Sequence, residues 1–176
     1  MSNNKASIGI SQCLTSTLVR YDGKSEFNEA LIKKLSRHFN LVPICPEVEC
    51  GLSVPRPPVQ LVEINNNLRV LGRNDKTIEI TEQLTGYSNE KIKTLSYLSG
   101  YLFKARSPSC GVETTPVYDT IGNNKNLSNG IFVASFIEHY PDIPIIDDSL
   151  LLQVDQLERF IEKVKAYSVN VINLTV

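Results

Sequence analysis

The sequence has almost no net charge, because 18 lysine and arginine residues stand against 19 aspartate and glutamate residues. Proteins that bind nucleic-acid phosphates or anionic lipid usually have a broad positive field, so we expect no DNA partner. No stretch approaches the roughly 20 apolar residues that a membrane-spanning helix requires. The first 13 residues, MSNNKASIGISQC, also lack the basic start and apolar run of a secretory signal. We therefore expect a cytoplasmic protein with no membrane partner.

Two nucleotide-binding motifs are missing as well. There is neither a Gly-x-Gly-x-x-Gly fingerprint nor a Gly-x-x-x-x-Gly-Lys-Ser/Thr loop, so neither dinucleotides nor nucleoside triphosphates are supported as ligands. The chain does contain four cysteines. In a reducing cytosol these thiols stay mainly reduced, which favours metal binding or catalysis over a disulfide framework.

The pattern of apolar residues alternates between strand and helix. A chain of 176 residues fits one domain, which we expect to span 1–176. Alternating strands and helices imply right-handed crossovers and a mostly parallel sheet. We expect an α/β fold, a Rossmann-like three-layer sandwich with a small β excursion near 60–71. The predicted strands are 6–11, 41–45, 60–62, 68–71, 100–105 and 143–146, and the predicted helices are 28–38, 81–99, 130–139 and 149–167.

Three of the four cysteines follow predicted strands. Cys13 comes after the first strand, Cys45 ends the second, and Cys110 follows the strand over 100–105. In open parallel sheets, ligands bind beyond the carboxyl ends of the strands, near the point where the strand order reverses. We therefore expect these three thiols to converge at one edge of the sheet.

Thiolates are soft ligands that suit iron–sulfur clusters and zinc. A structural zinc site usually has a fourth Cys or His, whereas a cluster held by three thiolates leaves one iron free for water or substrate. Spacing alone also allows a second interpretation, in which the cysteines are buried small apolar residues. Proline and glycine near each thiol shape tight loops with exposed backbone amides, which favours the ligand interpretation.

The residues around these thiols include candidates for proton transfer. Glu47, two residues after Cys45, is the best general acid or base, and Glu49 is interpreted as a solvated loop charge. Ser107 and Ser109 are candidates to donate hydrogen bonds to substrate or cluster, and the alternative is a serine turn that binds its own backbone. Cys50 could be a fourth ligand, a resolving thiol or a residue that only fills space. The last interpretation is favoured, since a fourth protein thiolate would close the site.

Four basic residues lie near the cysteine loops. Arg20, Arg56, Lys104 and Arg106 could face an anionic cluster or ligand, but a lone basic side chain is more often solvated. His38 and His139 end predicted helices, where a partial positive charge is favourable, so neither is assigned a chemical role.

Five segments together resemble a bacterial family, domain of unknown function 523, which includes thiouracil desulfurases of the TudS type. The resemblance covers nearly the whole chain. The matching segments are Ile10-Ser11-Gln12-Cys13-Leu14, Val19-Arg20-Tyr21-Asp22-Gly23, Val42-Pro43-Ile44-Cys45-Pro46-Glu47, Gly51-Leu52-Ser53-Val54-Pro55-Arg56 and Lys104-Ala105-Arg106-Ser107-Pro108-Ser109-Cys110-Gly111.

The resemblance implies a [4Fe-4S] cluster held by Cys13, Cys45 and Cys110, whose fourth iron takes the sulfur of a small-molecule thiolated base. It implies a non-redox desulfuration in which water attacks the carbon and sulfide is released. Glu47 would move protons for the water, and Ser107 or Ser109 would orient that base. A protein of this kind would receive its cluster from the cluster-assembly machinery.

One departure from the family pattern concerns the loop after Cys13. The family commonly has a Leu-Leu-Gly turn there, whereas this chain has Leu14-Thr15-Ser16. Without glycine the range of allowed backbone dihedral angles is narrower, which predicts a loop of different shape. A different loop shape bears on the identity of the substrate. Two other functions stay open at this point. One is a non-catalytic iron–sulfur or zinc module, a sensor or sulfur carrier in which Cys50 matters, and the other is a small-molecule binder with incidental cysteines.

Overall fold

The computed structural model describes residues 5–174. Within them the chain alternates between strands and helices. The strands are β1 (Ser7–Ser11), β2 (Asn40–Ile44), β3 (Val59–Ile64), β4 (Asn67–Gly72), β5 (Leu98–Phe103), β6 (Thr115–Tyr118), β7 (Asn124–Ser128) and β8 (Ile145–Asp147). The helices are α1 (Glu29–His38), α2 (Pro46–Glu49), α3 (Thr81–Lys93), α4 (Ile131–His139) and α5 (Val154–Leu174).

The larger structural unit is sheet A, whose strand order is β2-β1-β5-β8 and whose pairings are all parallel. The expected mostly parallel sheet is confirmed. Both prolines associated with the sheet respect its hydrogen bonding, because Pro43 lies in the edge strand β2 and Pro144 just precedes the other edge strand, β8.

Helices cover both faces of sheet A, as the three-layer prediction requires. On one face, Tyr101 and Phe103 of β5 pack against α3 and against Phe132 and Phe136 of α4. On the other face, the apolar side chains of β1 pack against α1 and α5. Helix α1 begins where the Asn28 side chain accepts a hydrogen bond from the Leu31 N–H, which satisfies a donor that the helix itself leaves unpaired.

A second sheet, sheet B, has the order β4-β3-β6-β7 and packs against α3. Its β3–β4 hairpin is the predicted excursion, and it turns at Asn65 and Asn66, which have φ values of 51° and 61°. Asparagine tolerates this left-handed region better than most residues. Strands β6 and β7 were not predicted from the sequence, because β7 (NKNLS) is exposed along nearly its whole length and shows no apolar alternation.

The largest differences between predicted and observed boundaries concern two helices. The helix predicted over 81–99 ends at Lys93, and the following strand begins at Leu98. All six residues of β5 are buried, so burial in the central sheet overrides the helical pattern at its start. The helix predicted from 149 begins at Val154, after a single 3₁₀ turn. Among residues 5–174, no helix is long and apolar enough to cross a membrane.

The contact between Gly9 and Tyr101 predicts a large cost for adding one methyl group. A Cβ atom on Gly9 would lie 2.2 Å from Tyr101 Cδ2, so we expect Gly9→Ala to lower the free energy of unfolding by about 1–3 kcal/mol through overpacking. Urea denaturation measures this change. Gly86→Ala is the control, because its Cβ would meet nothing within 4 Å and alanine is favoured in a helix interior. Equal midpoints for Gly9→Ala and the wild type would contradict the interpretation.

Candidate functional site

The three predicted cysteine ligands lie at the carboxyl edge of sheet A. Cys13 lies in a single 3₁₀ turn directly after β1, and Cys110 lies in the loop after β5. Cys45 lies between β2 and α2, as the residue directly before the helix. The central strands β1 and β5 are neighbours, and the chain continues from them to opposite sides of the sheet. The three loops therefore meet where the strand order reverses, which is the usual ligand edge of such sheets.

Electrostatic coupling indicates that the three sulfurs are close together. Burial raises the pKa of the Cys13 thiol to about 12, and the neighbouring Cys45 sulfur raises it further. Burial also raises the pKa of Cys110 well above its usual value, with added contributions from the Cys13 and Cys45 sulfurs. The Ser11 hydroxyl opposes the shift at Cys110.

Cys45 is surrounded by both stabilising and destabilising groups. Burial raises the pKa of its thiol, while the backbone N–H groups of Glu47 and Val48 at the start of α2 act in the opposite direction. N–H groups at a helix start favour an anion. These amides would therefore stabilise a thiolate ligand at Cys45.

The donor spacing bears on the kind of metal group that fits. Within residues 5–174, no three His, Cys, Asp or Glu side chains form a group that could hold one metal ion. Around a single zinc ion, every thiolate must lie about 2.3 Å from the metal. In an iron–sulfur cluster each thiolate binds a different iron, so the sulfurs are spaced more widely. Three soft thiol donors are of the kind that suits an iron–sulfur cluster.

Glu47 is held at this edge by two partners. The Ser109 hydroxyl donates to its Oε1 at 2.9 Å, and Arg56 donates to its Oε2 from Nη2 at 2.7 Å and from Nε at 3.0 Å. Only 12% of the Glu47 side chain and 6% of the Arg56 side chain are exposed. Because both of its oxygens accept hydrogen bonds, the Glu47 carboxyl group is held in a fixed orientation.

Arg56 is a candidate site residue whose buried contacts were not predicted from the sequence. Its Nη1 also donates to the carbonyl oxygens of Val19 and Ser53, at 3.0 and 3.2 Å. The usual solvated interpretation of a lone arginine was wrong here. The sequence did contain a signal for this burial, since Arg56 lies between Pro55 and Pro57. Two prolines stiffen the backbone and can hold the guanidinium in a buried position, where it requires a carboxylate partner.

The two candidate serines differ in their contacts. Ser109 is buried and binds Glu47 directly. Ser107 instead accepts hydrogen bonds from the backbone N–H groups of Ser109 and Cys110, at 3.2 and 3.1 Å. Ser107 therefore shapes the loop that presents Cys110, while Ser109 orients the carboxylate.

A pocket of about 340 Å³ opens beside Glu47 and Ser107. This volume is at the low end of the range for small-molecule sites. Within the described residues, one acidic side chain lines it, that of Glu47, whereas five basic side chains do. Lys104 is paired with Asp148 at 2.8 Å, and Arg20 is paired with Asp22 and Glu26. The remaining basic residues of the lining are Arg56, Arg73 and Arg106.

Comparison with known proteins decides the family. Residues 8–148 match the family model described as 2-thiouracil desulfurase. The chain belongs to the 2-thiouracil desulfurase family. This confirms the resemblance stated from the five segments.

This desulfurase-family protein also resembles two individual proteins. It is 30% identical over 113 residues to the uncharacterized protein YbbK of Bacillus subtilis (strain 168), which covers 58% of this chain and 71% of that protein. A solved structure of a [4Fe-4S]-dependent thiouracil desulfidase, TudS, matches with a TM-score of 0.66 and 24% identity over 86% of this chain and 96% of that one. At this identity the structural match establishes a shared fold.

Cys50 and Glu49 lie next to the site of this desulfurase-family protein, and their contacts can be compared with the sequence-based predictions. The Cys50 sulfur lies 3.2 Å from the Glu47 carbonyl oxygen, and Cys50 packs with the core of sheet B instead of the core around Cys110. Glu49 was predicted to be a solvated loop charge, and it is exposed, although it lies on α2. It accepts hydrogen bonds from the Tyr87 hydroxyl at 2.6 Å, from Lys91 Nζ at 2.8 Å and from the Cys45 backbone N–H at 3.2 Å.

The raised pKa of Cys13 predicts slow alkylation of the metal-free desulfurase-family protein at neutral pH. Since that pKa is about 12, we expect the iodoacetamide rate at Cys13 to rise about tenfold per pH unit between pH 8 and 11, following the thiolate fraction. Peptide mass spectrometry measures the rate at each cysteine. In guanidinium chloride the rate should level off above pH 9, because the pKa returns to its ordinary range. The same levelling in folded protein would contradict the burial argument.

Proposed function

We propose that this protein catalyses the non-redox, hydrolytic desulfuration of thiouracil or a related thiolated nucleobase. We further propose that Cys13, Cys45 and Cys110 hold a [4Fe-4S] cluster for this reaction. The observation that carries the proposal is the meeting of three coupled, largely buried thiols with a fixed carboxylate, Glu47, at one edge of sheet A. Membership of the 2-thiouracil desulfurase family supports the same activity.

The donor set fits the proposed cluster. Its ligands are soft thiolates, which iron–sulfur clusters prefer, and they come from three separate loops. Cys50 packs against the core of sheet B, and in this proposal it is not a ligand, so one iron would have no protein thiolate. When bound, such a cluster supplies a Lewis-acidic iron for the thiocarbonyl sulfur of the substrate.

The protein's own residues would manage water and protons. Glu47 Oε1 keeps a second lone pair beyond the one that accepts from Ser109, so it has room to accept a proton from the attacking water. Water supplies the oxygen of the new C=O bond, and its two hydrogens leave with sulfide as H₂S. Electrons balance in this exchange, so no reductant is needed.

Arg56 and the two serines would act as positioning residues in this scheme. Arg56 holds the Glu47 carboxyl group in place through its contacts with Oε2, and Ser109 fixes Oε1. Ser107 borders the pocket and is proposed to orient either the base or the substrate. Pre-set orientation of this kind lowers the reorganisation needed during reaction.

The proposed reaction also implies partners and a compartment. The substrate is a small thiolated base in the pocket beside Glu47, and the cluster comes from the cluster-assembly machinery. Ligand thiols must be reduced to bind iron, so we propose the cytosol as the compartment.

The cysteine assignment predicts the pattern of iron binding after anaerobic reconstitution with iron and sulfide. We expect about four irons per chain, lost in Cys13→Ala, Cys45→Ala and Cys110→Ala but kept in Cys50→Ala, which is the matched control. Iron quantification and the visible spectrum measure this. Sulfide release from 2-thiouracil then measures turnover. Iron lost only from Cys50→Ala would favour a closed zinc or sensor site, and cluster without turnover would overturn thiouracil as substrate.

The proton-transfer role predicts separate effects on iron and turnover for Glu47→Gln. We expect this variant to keep its iron and to lose about 10²- to 10⁴-fold in kcat, the usual contribution of a general acid or base. Glu90→Gln is the control, because Glu90 is an exposed carboxylate on α3 that pairs with Lys93 and makes no contact with the cysteine loops. Full turnover by Glu47→Gln with an intact cluster would exclude the role.

A further inference from the structure

Tyr101 lies at the centre of the fold, and the mechanism above does not use it. The residue belongs to the central strand β5 and is completely buried. Its ring stacks on Phe103 at a centroid distance of 3.9 Å and an interplanar angle of 8°. It also covers Gly9 of the neighbouring strand β1. The ring therefore has one well-defined position, and its hydroxyl has a fixed location.

The Tyr101 hydroxyl is exceptional among the buried polar groups. Within residues 5–174 it is the one fully buried side-chain oxygen or nitrogen without a hydrogen-bond partner. By contrast, the buried Ser88 hydroxyl donates to the Leu84 carbonyl oxygen at 2.7 Å. Buried hydroxyls nearly always have partners, because desolvating them without one is unfavourable. A phenylalanine would fill the same apolar space without this cost, so the oxygen calls for a role.

The surroundings of Tyr101 indicate which group that hydroxyl serves. Tyr101 shares its apolar cluster with Cys110 and with Ile44, the residue before Cys45. After burial, the Cys110 sulfur is the charge that most strongly raises the pKa of Tyr101, and the Tyr87 hydroxyl, Glu49 and the Cys45 sulfur follow. The hydroxyl therefore stays protonated. In this position it can act as a hydrogen-bond donor to an acceptor near the cysteine sulfurs.

We propose that the Tyr101 hydroxyl donates a hydrogen bond to an anionic sulfur of the loaded site, on the Cys110 side. This inference rests on the proposed cluster and makes Tyr101 a positioning residue for it. A hydrogen bond to a thiolate or sulfide stabilises its negative charge, and such outer-shell partners help to retain metal groups. Among the described residues the hydroxyl has no other acceptor, so loss of the cluster would leave a buried hydroxyl without a hydrogen bond, which is unfavourable.

The test compares Tyr101→Phe with wild type in two measurements. In the reconstituted protein, we expect iron transfer to a chelator under anaerobic conditions to become about tenfold faster, the lower end of typical outer-shell effects. In the metal-free full chain, we expect the urea midpoint to stay unchanged or to rise, because an unpartnered hydroxyl has been removed.

Tyr140→Phe is the matched control. The Tyr140 hydroxyl donates to the Ile92 carbonyl oxygen at 2.8 Å, and Tyr140 caps the end of α4, whose start lies at the Cys110 loop. We expect this variant to lower the urea midpoint and to release iron at the wild-type rate.

Three results would overturn the proposal, each in a different way. Wild-type iron release by Tyr101→Phe would exclude the hydrogen bond while leaving the desulfurase function intact. Faster release together with a lower urea midpoint of the metal-free chain would reduce Tyr101 to a structural role. Failure of the wild-type protein to take up iron would overturn the proposed cluster itself, and this inference with it.

Discussion

The adjacency of the parallel strands β1 and β5 is the constraint on which the site depends. Their backbones pair closely because Gly9 leaves room for the ring of Tyr101. From these two strands the chain departs to opposite sides, so their carboxyl ends are not covered by their own crossovers. The loops with Cys13 and Cys110 share this opening, and β2 adds Cys45 at its border. A methyl group at Gly9 would disturb the strand pair that holds the loops in place.

Burial at this opening determines the chemistry of its charged groups. Taking an ionisable group out of water disfavours its charged form, and the thiols respond with raised pKa values. Glu47 has a different environment, because Arg56 is buried beside it and donates hydrogen bonds to its Oε2. One edge of the sheet thus combines thiols that ionise on binding iron with a carboxyl group that is paired with an arginine.

The interactions around Glu47 connect distant parts of the chain. Ser109 comes from the loop after β5, and Arg56 comes from the proline-rich segment before β3. Arg56 also binds the Val19 carbonyl oxygen in the loop before α1. A change in any of these loops therefore alters the orientation of the carboxylate. The pocket borders the same residues, so substrate position and proton transfer depend on one set of contacts.

Much of the fold and part of the site could be predicted from the sequence alone. Apolar periodicity locates the strands that end at Ser11 and Ile44, and it also locates helices α1 and α4. Parallel topology then follows from chain order, which is why Cys13, Cys45 and Cys110 could be assigned to one edge. Strand β7 has no apolar alternation, so its pairing with β6 could not be predicted from the local sequence pattern.

Only the tertiary structure determined the contacts between residues that are far apart in sequence. The sequence by itself determined the residue types, their elements and the family motifs, because these depend on local spacing. It did not determine that Arg56 binds Glu47, that Ser109 and not Ser107 holds that carboxylate, or that the Tyr101 hydroxyl has no partner among the described residues. Such contacts depend on side-chain direction and burial, which arise only when the loops pack together.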